Sequence, residues 1–349
     1  MMNKTGTKTM FVIKLAGPGL AVLGALVIGA VIIKLSGYDP LNAYWELLKG
    51  GWGNKSALAN TLRLTTPLLL TALSFMIAFK AGMINLGADG QLYMGAFAAA
   101  VVGFALPSLP APLHIALCLV SAALMGMIWV IIPTICRLRF GASEILTTLM
   151  MNYIAILFTE YLVTYPFRGG GVTGQAIATK PILESAILPS IIPPYRVTPA
   201  LAIAVCLAII LYLIFKRTVL GYEIKMVGQN PEFARYTGIA VGRTMFKAMF
   251  ISGGLAGLAG AVEVLGVHLK FMTHFSQNAG FDGIIISLLG KNHPLCILVS
   301  SIFIGGLKNG AMAMERRTDI DQNVIIIMTA IIILFVTALE FKRQRHRED

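Results

Sequence analysis

Long apolar runs separated by short polar gaps dominate this chain, and within the runs the apolar residues are continuous instead of alternating. At about 20 residues per crossing, the clear candidate spans are Leu15 to Leu35, Leu62 to Phe79, Leu113 to Ile135, Ile145 to Val163, Pro199 to Phe215, Phe246 to Val264, Leu295 to Met314 and Val324 to Leu339. Two shorter runs, Leu92 to Leu106 and Phe281 to Leu289, each follow a polar segment containing glycine and read as half-helices or short spans. Lipid offers no partner to a bare backbone, so only helices and closed barrels cross it. Continuous runs of this length exclude a barrel. The expected fold is all-α and polytopic, a single transmembrane domain over residues 1–349.

Charge placement sets the orientation. The tail Lys342-Arg343-Gln344-Arg345-His346-Arg347 and the loop from Lys216 to Arg243 are basic and belong in the cytoplasm. Both are satisfied together only if the two short runs cross, which gives about ten crossings with both termini inside. Lys4, Lys8 and Lys14 ahead of the first run fit a retained span that starts inside. Arg316 and Arg317 then fall outside, beside Glu315, Asp319 and Asp321, in a loop that is nearly neutral. The connection from Tyr165 to Arg196 becomes the largest extracytoplasmic element, either a plain surface loop or a contact for a partner.

Composition agrees. Hydrophobic residues make up 57% of the 349 and charged residues 13%, whereas soluble domains carry about 25% charged residues. The net charge of +12 is spread through the gaps between runs, as in loops facing anionic lipid, and does not suggest nucleic acid. Cys118, Cys136, Cys206 and Cys296 lie in or beside apolar runs with no paired spacing, so they read as inert thiols, with no disulfide or metal role.

Asn85-Leu86-Gly87-Ala88-Asp89-Gly90 precedes one short run, and Asn278-Ala279-Gly280-Phe281-Asp282-Gly283 opens the other. Both read N-x-G-x-D-G, and in the ten-crossing arrangement they point in opposite directions, the mark of an inverted repeat. Asn and Asp suit helix starts and Gly suits tight turns. Asp89 and Asp282 are costly in lipid unless they face protein or water, which makes them pathway or structural candidates.

Within the Lys216 to Arg243 loop, Asn230 is a good N-cap, Pro231 suits the first helical position, Glu232 the positive helix end and Gly238 a stop. The pattern predicts a helix of about two turns, too short to stand alone in water. Phe233 and Tyr236 share a face that fits a groove on another protein or packs back on its own domain. A short capped helix between spans is what a permease offers to a cytoplasmic ATPase. No G-x-x-x-x-G-K-[ST] occurs, so that ATPase would be another chain.

At this point the sequence resembles the ABC importer permeases of the branched-chain amino acid, ribose and simple-sugar class, most of all the simple-sugar or nucleoside branch. Phe79-Lys80-Ala81-Gly82-Met83-Ile84-Asn85-Leu86-Gly87-Ala88-Asp89-Gly90-Gln91 is similar to that family's F-x-x-G-x-x-N-I-G-x-E-G-Q. Gly141-Ala142-Ser143-Glu144-Ile145, Thr148 to Ala155, the loop from Gly221 to Ile239, and Gly280-Phe281-Asp282-Gly283 followed by Leu289 to Pro294 continue the match over roughly residues 60–310. Asp89 stands where Glu is usual and Phe233 where a small residue is common.

The resemblance implies that Asn230 to Gly238 docks on the ATPase, so the coupling candidates are Gly228, Asn230, Pro231, Glu232, Phe233, Arg235, Tyr236 and Gly238. It places Asn85, Asp89, Gln91, Glu144, Asn152, Tyr153 and Asp282 around the translocation pathway. Glu144 also suits a helix first turn and can pair with Arg137 or Arg139. Asn152 and Tyr153 suit a ribose or a base, and Asn equally suits an interhelical hydrogen bond. Glu263 and Lys308 are charges within spans that can pair or, for Lys308, snorkel. Gly253-x-x-x-Gly257 reads as a close-packing face, and His268 and His274 as solvated.

The implied function is a permease subunit of an ABC importer for a nucleoside or a simple sugar, with no catalytic residue and no bound cofactor, ATP being used by the partner. Its expected partners are the ATPase, a second permease, either related or a second copy, an extracytoplasmic binding protein and the lipid of a bacterial cell membrane. An ion-coupled secondary transporter would also show inverted repeats and intramembrane acids, but it leaves the capped loop helix unexplained.

Overall fold

The computed structural model describes residues 27–107, 109–169 and 177–318. Much of the first expected span, all of the last and the basic tail lie outside these residues. The described helices are α1 (27–35), α2 (Pro40–Trp52), α3 (Lys55–Lys80), α4 (Ala88–Ala105), α5 (Ala111–Phe140), α6 (Glu144–Thr164), α7 (Ala200–Arg217), α8 (Val219–Gln229), α9 (Pro231–Tyr236), α10 (Val241–Glu263), α11 (Ala279–Leu289) and α12 (Pro294–Thr318). Six of the described helices are long and apolar enough to cross a membrane, and they contain the six central spans expected above. The fold is all-α and polytopic.

Chain contacts divide the molecule into two compact units, residues 1–61 with 305–349 and residues 62–304. In the first, α2 lies on the outer part of α12 through small residues. A Cβ on Gly51 would stand 2.7 Å from the Gly306 carbonyl oxygen, and one on Gly50 would strike Ala313. Asn309 ties the unit together, donating to the Gly50 and Ala57 carbonyls, each at 2.9 Å. Arg317 pairs with Glu46 at 2.6 Å, which gives an arginine placed outside by the orientation argument a local partner.

In the second unit α4 is buried along most of its length and packs against α5 and α10. The approach is close because glycines meet backbone. A Cβ on Gly95 would lie 2.5 Å from the Gly257 Cα, and Gly126 faces the Gly253 carbonyl. The Gly253-x-x-x-Gly257 face thus packs in the way small residues bring membrane helices together.

Helix α11 has 11 residues, about 16 Å at 1.5 Å per residue, half of a hydrocarbon core of about 30 Å. It does not cross alone. After α10 the chain continues as a π-helical turn, Val264–His268, and an irregular stretch to Asn278, which together lead back to the α11 start. Non-helical backbone within a bundle of spans has to be satisfied by protein. The connection between α6 and α7 does this, with Thr179 N donating to the Phe271 carbonyl (3.0 Å), Ile182 N to Leu269 (2.9 Å) and Leu188 N to Leu265 (3.0 Å). His114 on α5 in turn holds Ser185, at 2.8 Å. The part of that connection over residues 177–188 is therefore a brace on the molecule itself.

Candidate functional site

The first N-x-G-x-D-G segment lies just after α3, whose last residue is Lys80. Gly82 turns the chain with φ +74°, and residues 83–87 lead to the α4 start. Asn85 and Gln91 form a reciprocal amide pair, 3.0 and 3.1 Å, and Asn85 also donates to Ser252 at 2.8 Å and accepts from Gly87 N at 2.9 Å. All three side chains are buried.

The expectation that Asn and Asp cap the two short helices is corrected. The α4 N-cap is Gly87 and the α11 N-cap is Asn278, and neither supplies a side-chain cap. Asn278 is left-handed at φ +62°, which turns it away from that duty, and Asn85 lies two residues ahead of the cap. The α4 start is capped from another helix. Asn152 on α6 accepts from Gly90 N and donates to the Leu86 carbonyl, both at 2.7 Å, while Thr148 accepts from Leu86 N at 3.2 Å. Asn152 is thus committed to backbone. Its neighbour Tyr153 is 62% exposed on the outer face of α6, and the two do not converge.

Asp89, in the first turn of α4, serves the start of α11. It accepts from Ser276 Oγ at 2.6 Å and from Gly280 N, the second residue of α11, at 3.2 Å. A Cβ on Gly280 would lie 2.5 Å from Asp89 N, so the two helix starts touch. A buried carboxylate between two helix N-termini sits where both dipoles favour negative charge. Asp282 occupies the fourth position of α11, not the second as Asp89 does in α4, and is half-buried. The echo in sequence is therefore shifted by two residues in the structure. Thr71 Oγ1 donates to the Ala279 carbonyl at 3.0 Å and locks α11 to α3.

Glu144 opens α6 and pairs with Arg137 Nε at 3.1 Å, across a turn closed by left-handed Gly141, φ +65°. Glu263 pairs with His268, Oε2 to Nε2 at 3.4 Å. His268 is therefore not a solvated residue, because the π-helical turn folds its ring back over the carboxylate and against Phe275. His274 is exposed.

Helix α9 is capped at both ends. Asn230 accepts from Phe233 N at 3.0 Å. Gly238, φ +84°, closes the other end, with Gly238 N donating to Arg235 and Ile239 N to Ala234, both at 3.0 Å. Ala234 is buried with Val227 and Val241, and Ile239 packs on them. Glu232, Arg235 and Tyr236 point outward, as does Phe233 at 50% exposure, Tyr236 reaching 91%. Just before this helix, a Cβ on Gly228 would strike the Lys80 carbonyl and lie 3.1 Å from Gly82 N. The loop helix is thus joined through α8 to the segment that carries Asn85 and Asp89.

Sequence reading missed two things. One is the cross-capping by Asn152 and Asp89, which no local pattern encodes. The other is Glu160, an ionisable residue inside the Ile145 to Val163 run, a signal that was available. Asn152→Leu should orphan Gly90 N and the Leu86 carbonyl at a cost of about 2–4 kcal/mol. The measurement is a thermal melt in detergent, where Tyr153→Leu should leave the midpoint near that of the parent protein.

Two helix N-termini meeting inside a bundle of apolar spans, next to a capped loop helix, fit a membrane transport subunit. Residues 57–337 match the family described as branched-chain amino acid transport system / permease component, and the chain belongs to it. It is a multi-pass ABC transporter permease and not an enzyme. The chain is 35% identical to a guanosine ABC transporter permease protein of Bacillus subtilis, covering 92% of each chain. Identity is 32% to a nucleoside ABC transporter permease protein of Lactococcus lactis, over 93% of this chain and 90% of the other. It is also 32% to a glucose ABC transporter permease protein of Haloferax volcanii, over 94% and 88%.

Proposed function

We propose that this chain, paired with a second permease in a bacterial cell membrane, forms the path by which an ABC importer carries a nucleoside, with a simple sugar as the second choice of cargo. The observation that carries this is the link from α9, through Gly228 and Gly82, to the junction of the α4 and α11 starts at Asp89. A displacement of α9 by an ATPase would reach that junction through the Gly228–Gly82 backbone contact and residues 83–87. Asn85, Asp89 and Gln91 act in this reading as the frame of the pathway, Asn152 as its clamp, Glu144 as a brace at the cytoplasmic end, and Tyr153 and Asp282 as groups on its accessible faces. Cargo arrives on an extracytoplasmic binding protein, and ATP is consumed by the partner while this chain holds no cofactor. The guanosine and nucleoside transporters among the relatives support the cargo class.

The test is uptake into proteoliposomes holding both permeases and the ATPase, with binding protein outside. Guanosine uptake that requires ATP and the ATPase subunit is the expected result. Uptake that follows a sodium or proton gradient without the ATPase would overturn it.

A further inference from the structure

Four cations gather where α3 and α7 end. Lys80 is the last residue of α3, Lys216 and Arg217 fill the last turn of α7, and Lys225 reaches back from α8. The Lys80 ammonium lies 5.2 Å from the centre of the Phe215 ring and the Lys225 ammonium 5.9 Å, so the two share one aromatic side chain. Lys225 Nζ donates to the Phe215 carbonyl at 2.7 Å, which leaves it two further protons to donate. Three residues earlier on α7, Tyr212 receives Lys216 Nζ at 3.2 Å, and His293, from the turn between α11 and α12, meets the same ring at 5.6 Å. Lys80 is half-buried, whereas Lys216, Arg217 and Lys225 are exposed.

This corner is not balanced by acids. Among the described residues no carboxylate lies at ion-pair distance from any of the four cations. Glu223, the one acid in α7 and α8, accepts from Thr244 of α10 at 3.4 Å and stands two residues from Lys225, a spacing at which helical side chains do not face each other. The C-termini of α3 and α7 contribute about half a negative charge each, too little for four cations. Like charges gathered at the edge of a low-dielectric bundle attract an anion. The surface beside them indicates its source. Ile209, Ile210 and Leu213 are 44%, 49% and 43% exposed and form an apolar stripe that leads along α7 to Lys216 and Arg217. Acyl chains fit such a stripe, and a soluble anion makes no use of it. Resting on the reading that α9 faces a cytoplasmic ATPase, we propose that this corner binds the phosphate head group of an anionic phospholipid of the cytoplasmic leaflet. Lys80 and Lys225 hold the head group, Lys216 lies at its outer edge, and the acyl chains run along α7. The lipid ties the end of α3 to α8 beside the place where Gly228 meets the Lys80 carbonyl, and so stiffens the link between α9 and Asp89.

The test is native mass spectrometry of the purified full-length chain in detergent, titrated with phosphatidylglycerol or with phosphatidylcholine. The first phosphatidylglycerol should bind about tenfold or more tightly than phosphatidylcholine, and Lys80→Gln with Lys225→Gln should remove that preference. Lys80→Arg with Lys225→Arg keeps the charge and should keep the lipid. Arg243→Gln with Lys247→Gln removes as much charge from other exposed positions and should leave the preference in place, whereas an equal loss in both Gln pairs means a diffuse basic surface and overturns the site. Inorganic phosphate in large excess, at constant ionic strength, should not displace the lipid, and displacement would assign the corner to a soluble anion instead. Should the Lys80 and Lys225 Gln pair not purify, acetylation of the unsubstituted chain by a water-soluble reagent gives a second readout. Phosphatidylglycerol should slow it severalfold at Lys225 and not at Lys247, and equal rates at Lys225 with and without the lipid overturn the proposal. Neither readout depends on cargo or import, so a chain that binds the lipid as expected in a transporter that moves no solute counts against the transport reading alone.

Discussion

Asp89→Ala is expected to abolish solute import while the protein still reaches the membrane, and Asp89→Asn to retain a part of it. The alanine leaves Gly280 N and Ser276 Oγ without their acceptor at a site where Asp89 is 4% exposed. Hydrogen bonds to a charged acceptor contribute about 1.5–3 kcal/mol each. Membrane interiors return somewhat less, because other partners are found in the unfolded reference. The total loss should still reach about 3 kcal/mol. The asparagine keeps an acceptor oxygen in nearly the same place and loses only the charge that the two helix N-termini favour. The order parent, Asn, Ala in both melting midpoint and uptake rate is the check. Equal uptake by the parent and the Ala variant would show that the junction does not govern transport. Gly280→Val should be worse than either, since its first added carbon already meets Asp89 backbone at 2.5 Å and neither helix start has room to withdraw.

These effects depend on contacts that the sequence discloses unevenly. Spans, the short α11 and the capped loop helix are local patterns, and each is legible in runs of neighbouring residues, whereas the Leu92 to Leu106 run extends back to Ala88 as the 18-residue α4. Leu113 to Ile135 announces α5, and Asn230-Pro231-Glu232 with Gly238 announces α9, because hydrophobic run length and capping chemistry act over a few positions. What closes the junction is not local. Asn152 reaches α4 from 62 residues away to meet Gly90, and Asp89 meets Gly280 across 191 residues. A polar residue within a span signals only that some partner exists. The repeated N-x-G-x-D-G motif marks where the two halves correspond, yet the two helices begin at different points within it. Asn85 finds its partners in Gln91 and Ser252, whereas Asn278 becomes a left-handed turn. His268 misleads for a similar reason, since a π-helical turn cannot be read from the apolar residues around it.

Phe233→Asp should weaken association with the ATPase by at least about tenfold, equivalent to about 1.4 kcal/mol, and stop ATP-driven uptake while leaving the fold intact. A six-residue helix has no stability of its own in water. Helix α9 persists because Asn230 and Gly238 satisfy its ends and Ala234 is buried with Val227 and Val241. None of these contacts involves the Phe233 ring, which is half exposed next to Tyr236. A pair of aromatic side chains held out from a rigid helix costs solubility and gives the monomer nothing, so its benefit has to come from a partner that covers it. A carboxylate at that position would be carried unpaired into the interface. Pro231→Gly added to Phe233→Asp also loosens the first turn and should deepen the loss. Ala234→Leu acts differently, overfilling the contact with α8 and lowering the melting midpoint as well. Copurification with epitope-tagged ATPase separates these outcomes, because Phe233→Asp should lose the partner at an unchanged midpoint. If that variant retains the ATPase and imports solute at the parent rate, docking takes place elsewhere on the cytoplasmic surface, and the link from α9 through Gly228 to Asp89 carries no driving motion.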